Sequence, residues 1–126
     1  MTARVEPAVV AGLRVWTRGH ERHVCAAVEL LIGHRVWLDR PDFRTACVRR
    51  AIAEYGLDWR WIDWRAARTA LDADRFAPAS AADLAVLDLV IALGEDRYRL
   101  RALSPLHSRL ITDAVTRAVC GNGGTR

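Results

Sequence analysis

The chain has 126 residues, 52% of them apolar and 27% charged, with a formal net charge of +4 and a pI near 9.6. That length gives one domain whose core needs neither disulfide nor metal, and the charge permits an acidic partner without requiring one. Cys25, Cys47 and Cys120 are an odd set without C-x-x-C spacing, and no uncharged run approaches 18 residues, which argues against a disulfide-stapled secreted fold and against a membrane-spanning helix.

All 19 basic residues are Arg. Codon bias in a high-GC genome accounts for this, and its physical consequence is that every basic group can grip a carboxylate or phosphate with two parallel hydrogen bonds. In chain order, Pro7 suits the first turn of a short helix carrying Val10, Leu13 and Trp16. The apolar stretch from Ala8 to Leu13 is too short for a signal-peptide core, so a cytoplasmic location with reduced, buried thiols is expected.

Val24, Ala27, Val28, Leu31, Ile32, Arg35 and Leu38 recur at helical spacing and predict an amphipathic helix over 20–38. Asp39-Arg40-Pro41-Asp42 interrupts it. A further helix is expected over 41–55, with Phe43, Cys47, Val48, Ala51, Ile52 and Tyr55 inward and Gly56 at its end.

The period then changes. Leu57, Trp59 and Trp61 alternate with Asp58 and Arg60, the pattern of an extended segment that buries its tryptophans and sends Arg60 to water. Asp63 is a good N-cap for a helix over 64–71. The loop 72–79 is too short to separate domains.

Ser80 to Gly94, SAADLAVLDLVIALG, is the most apolar stretch of the chain. Ser80 and Asp83 make a capping-box-like start, and Gly94 fits the residue just past a helix end. Leu84, Leu87 and Ile91 share one face while Leu89, Leu93, Val86 and Val90 cover the others, so this helix belongs at the centre of the domain. Asp88 interrupts it, and burying that carboxylate is costly unless an Arg side chain or backbone amides meet it, which is the structural role expected for it.

Tyr98, Leu100 and Ala102 next alternate with Arg97, Arg99 and Arg101, so residues 57–62 and 97–102 can pair as a short two-stranded ladder. Ser104-Pro105 caps and opens a last helix, on which Leu106, Leu110, Ile111, Ala114, Val115, Ala118 and Val119 form a broad apolar face. Packed with helices 20–38, 41–55 and 64–71, that face would enclose helix 80–94 within one chain. The result is a mainly α bundle of five to six helices, one domain over 1–120, with a flexible tail over 121–126.

Chemistry-bearing patterns are sparse. His20 and His23 stand at i, i+3 but lack further ligands, and His34 is too far along the same helix to join them. Cys25 and Cys47 lie among apolar residues, a poor setting for a thiolate paired with His, and no glycine-rich phosphate loop or nucleophile elbow occurs. No catalytic, metal or cofactor site is expected.

Arg97, Arg99 and Arg101 on a strand would project from one face about 6.6–7 Å apart, near the phosphate spacing of a nucleic-acid strand, although a charge-guarded sheet edge reads the same way. Arg49, Arg50, Arg60 and Arg65 would extend that surface, and Arg60, Arg65 and Arg68 interleave with Trp59, Trp61 and Trp64, a composition that stacks bases or holds phosphates, although tryptophans used as packing mass are the favoured reading. Val48 to Arg65 fits a helix-turn-helix at Gly56, Leu57 and Ile62 and fails at Arg65, where an apolar residue is wanted.

The runs WLDRPDFRTACV, WIDW and LSPLHSRLITDAV, over about two thirds of the chain, are similar to short uncharacterised helical proteins of high-GC actinobacteria, a resemblance that implies a bacterial origin and brings no activity with it. The sequence therefore predicts a small non-enzymatic interaction protein, an accessory subunit, adaptor or inhibitor, whose partner is another protein. The alternative is a nucleic-acid-binding domain using its arginines; a homodimer is allowed but not required, and no membrane is involved.

Overall fold

The computed structural model describes residues 7–52, the last by its backbone alone, and residues 58–120. Within them lie the helices α1 (Pro7–Thr17), α2 (Arg22–His34), α3 (Pro41–Cys47), α4 (Trp64–Asp72), α5 (Ala81–Gly94) and α6 (Pro105–Cys120), and the strands β1 (Val48–Ile52) and β2 (Asp58–Ile62). The fold is mainly α with one short antiparallel pair. The expected tail over 121–126 lies outside the described residues, as do Tyr55, Gly56 and Leu57.

Two helix starts follow directly from their caps. Asp63 Oδ1 accepts the Ala66 N–H at 3.0 Å to open α4, and Ser80 Oγ accepts the Asp83 N–H at 3.0 Å to open α5. The Asp83 carboxylate does not close a capping box; it meets His34 Nε2 at 3.1 Å and so ties α5 to the end of α2.

Helix α2 stops four residues short of the expected 38. Arg35 takes a left-handed conformation at φ 71, which turns the chain so that Trp37 and Leu38 both point inward and are fully buried. Trp37 Nε1 donates to the Asp83 carbonyl at 2.9 Å, and its ring lies 6.0 Å from Phe43 and 5.4 Å from Phe76. Arg40 stacks 5.0 Å over the same indole and donates to the Phe76 and Pro78 carbonyls, fastening the loop between α4 and α5 onto the core.

The expected helix over 41–55 is cut at Cys47. From Val48 the backbone is extended, with Val48 opposite Ile62 and Arg50 opposite Arg60. A ladder of backbone partners in DWRWI, continued by Asp63 N–H to Cys47 C=O at 2.8 Å, overrides the helical spacing of the side chains. Thus 58–62 pairs with β1 and not with 97–102, and a helix-turn-helix over 48–65 is excluded. Residues 97–102 cannot form a strand, since Asp96 and Arg99 have φ of 54 and 51 and Leu100–Ala102 is a 3-10 turn.

The facing of β2 is the reverse of that expected. Arg60 turns toward α1, its side chain only 13% exposed and paired with Asp58 at 3.2 Å, while Trp59 and Trp61 on the other face are half-buried. Gly12 makes room for it: a Cβ there would lie 2.5 Å from Arg60 Cγ, so α1 could not approach β2 with any other residue at this position.

Helix α5 packs on α2 and α4, burying Leu87, Val90, Ile91 and Ala92. Its outer side is left open: Leu89 is 44% exposed. The expectation that the last helix would cover it fails, because α6 stands away from the body with no buried residue.

Candidate functional site

The open side of α5 is where an apolar face assembles. After Gly94 the chain reverses through Asp96, whose carboxylate accepts the Leu100 N–H at 3.2 Å, and through the left-handed Arg99. That reversal sets Tyr98, Leu100 and Leu103 beside Leu89 and Leu93 of α5. Ser104 Oγ then accepts the His107 N–H at 3.3 Å and launches α6, whose Ile111 and Val115 form the last wall of a cleft of about 500 Å³.

The remaining apolar residues of α6 are exposed as well. All 16 residues of the helix are exposed. The large hydrophobics exposed among the described residues are Leu89, Tyr98, Leu106, Leu110, Ile111, Val115 and Val119, and all seven belong to this one region. With each about half exposed and about 200 Å² available on a large side chain, they present on the order of 700 Å² in all, divided between the cleft and the remainder of α6.

Of the arginines singled out in the sequence, Arg49 and Arg65 share a cleft and Arg50 and Arg60 share Asp58, whereas the row at 97, 99 and 101 is not formed. Arg97 lies 3.7 Å from Glu95, Arg101 pairs with Glu21, and Arg99 occupies the exposed left-handed turn position, so the three form no evenly spaced row. Arg49 pairs with Asp63 at 3.2 Å, Arg50 with Asp58 at 3.0 Å, and Arg60 shares Asp58. Arg65 is exposed and, among the described residues, carries no ion pair. It lines a cleft of about 710 Å³ between α3 and α4 together with Arg49, Arg75, Thr45, Asp42 and Asp63.

Asp88 is not buried, contrary to the expectation; its side chain is 60% exposed and it is met by Arg68 at 2.8 Å. Arg68, read in the sequence only as one of the arginines among the tryptophans, is the residue that organises this corner, reaching Asp88 on α5, Asp72 at 3.6 Å and Glu95 at 3.8 Å. Burial opposes its charge, but the hydrogen bond and charge of Asp88, with Glu95 and Asp72, outweigh that and hold the guanidinium above its ordinary value. The spacing of Arg68 and Asp72 at i, i+4 was a local signal; the tie to α5 was not visible in the sequence.

The histidines serve the fold. His23 Nδ1 lies 2.9 Å from the Leu93 carbonyl, and His20 stacks edge-on against Trp16 at 4.9 Å. Among the described residues no group of three or more His, Cys, Asp or Glu is placed to hold a metal ion.

Cys47 is fully buried, and desolvation pushes its thiol up to about 12 from 9.0, so it is a packing residue and a poor nucleophile. Cys25 is half-buried and Cys120 exposed. At neutral pH a maleimide is expected to label Cys120 rapidly and Cys47 only on unfolding; equal rates would contradict this burial. Because the folded value is the higher one, Cys47 contributes full stability below about pH 9 and loses it as pH rises toward about 12, a decline that Cys47→Ala should flatten.

No protein-family model, curated protein or solved structure matches the chain. Among the described residues no helix is long and apolar enough to cross a membrane.

Proposed function

We propose that this protein is a small interaction module, an accessory subunit, adaptor or inhibitor of the cytoplasm, that acts by docking another protein on α6 and the adjoining cleft. The observation that carries this reading is the gathering of seven exposed large hydrophobics in one place. A patch of this size on a monomer costs solubility and is retained where something covers it. The tip of α5, the turn through Leu103 and α6 together give both a concave element and a projecting helix, the shapes used in helix-in-groove recognition. The dispersal of the arginines into ion pairs with carboxylates supports a protein partner over a nucleic acid, since a phosphate would have to compete with carboxylates already in place.

Photo-crosslinking in cells tests this. A photoreactive residue at Leu110 is expected to yield a protein adduct that Leu106→Glu abolishes, while the same residue at Arg50 or Arg65 yields none. Nucleic-acid adducts at Arg50 or Arg65, with none at Leu110, would replace the reading with the nucleic-acid one.

A further inference from the structure

We infer that the protein docked on α6 is a second copy of this chain, with the two α6 helices packed antiparallel. The inference rests on the reading of α6 as a docking surface and names its occupant. Ile111 and Val115 belong to the cleft side of the helix, with Ser108, Thr112 and Thr116 beside them. The opposite flank carries Leu106, Leu110, Ala114 and Ala118, one ridge at four-residue spacing, all exposed.

That ridge is large at its N-terminal half and small at its C-terminal half. Laid antiparallel on a copy of itself about position 112, it sets Leu106 against Ala118 of the second copy and Leu110 against Ala114 of the second copy. Every layer then joins a large side chain to a small one, the condition for interdigitated packing. Parallel pairing would instead set Leu on Leu at one end and Ala on Ala at the other, leaving a gap.

The charges agree with the same arrangement. Arg109, Asp113 and Arg117 stand at successive four-residue steps along the margin of the ridge, and none of them has an ion pair among the described residues. In the antiparallel pair Asp113 comes within a turn of level with Arg109 of the second copy, twice by symmetry. In a parallel pair the same margin would face the other flank of the second copy, and Arg109 and Asp113 would not meet each other's copies. Leu106 and Leu110, at 64% and 57% exposure, are the large apolar residues this pairing would cover.

Sedimentation of the full chain over a wide concentration range tests the inference. The wild type is expected at twice the 14.1 kDa chain mass. Leu110→Glu, at a 57% exposed position, should give a monomer whose circular dichroism loses no more than the helix of α6, the rest of the fold being kept. Asp113→Arg should weaken dimerisation about tenfold, the effect of two flanking pairs of ordinary surface strength, and adding Arg109→Asp should restore it to within about twofold. A dimer indifferent to Leu110→Glu, or a charge reversal without rescue, would overturn the antiparallel α6 pair. A monomeric wild type that still crosslinks another protein through Leu110 would overturn self-pairing and leave the docking surface standing. A monomer with no adduct would remove both.

Discussion

Trp37→Ala is expected to destabilise the fold by ~4 kcal/mol, a large share of the ~5–15 kcal/mol that holds a domain of this size together. Trp37 is fully buried: Phe43 and Phe76 pack on its ring, Arg40 stacks over it, and none of its surface reaches water. Truncation removes that packing and leaves a cavity. It also removes the indole N–H that donates to the Asp83 carbonyl at 2.9 Å. Trp37→Phe separates the two contributions, since it keeps an aromatic ring and loses only the hydrogen bond and part of the volume; a cost of ~2 kcal/mol is expected. Urea midpoints measure both, and a loss below about 1 kcal/mol for Trp37→Ala would contradict a closed aromatic cluster at this position.

Gly94→Ala is expected to cost ~2 kcal/mol, although alanine is the better helix former by ~1 kcal/mol. A Cβ at Gly94 would stand 2.3 Å from Cε2 of Trp64, closer than any real contact. The obstruction is a rigid indole, itself set 6.4 Å from the ring of Trp16, and it cannot swing aside as a flexible chain end could. Steric repulsion therefore exceeds the propensity gain. Gly33 is the internal control, because a Cβ there meets nothing within 4 Å and the residue is exposed on α2. Gly33→Ala should stabilise by up to about 1 kcal/mol, so thermal unfolding of the two variants should shift in opposite directions. Shifts of the same sign would contradict the close approach of α4 and α5.

Gly94 also marks where sequence reasoning stops. Its place at the end of an apolar run suggested a helix-terminating glycine in the left-handed conformation, but it is the last helical residue, and the left-handed residues follow at Asp96 and Arg99. What requires glycine is a ring brought in from 30 positions earlier, a relation no local pattern encodes. The caps at Asp63 and Ser80, the extended DWRWI and the start of α6 were legible because each depends on residues within a few positions. Trp37 and β1 were not. The inward turn of Trp37 depends on Arg35 leaving the helix, and β1 on backbone partners supplied by β2, so in both cases a tertiary contact overrides local spacing.

The candidate site was half legible. The apolar face of the last helix was evident from the recurrence of Leu106, Leu110, Ile111 and Val115, but periodicity says only that a face is apolar and not what lies upon it. Assigning it to α5 was the economical choice, and the reversal through Asp96 and Arg99 carries α6 elsewhere. The arginine row at 97, 99 and 101 failed for the same reason, since a strand was needed to align it and the backbone there is a turn.

The standing-off of α6 has a thermodynamic corollary. A helix of 16 residues without tertiary support is marginal in water, because the few hydrogen bonds it gains barely exceed the chain entropy it gives up. Association at α6 must then order the helix as well as cover it, so part of the interaction free energy goes into folding, and affinity falls below what the covered area alone would give. The same coupling makes the complex steeply dependent on temperature and on any residue that alters helix propensity along α6, including those that never touch the partner.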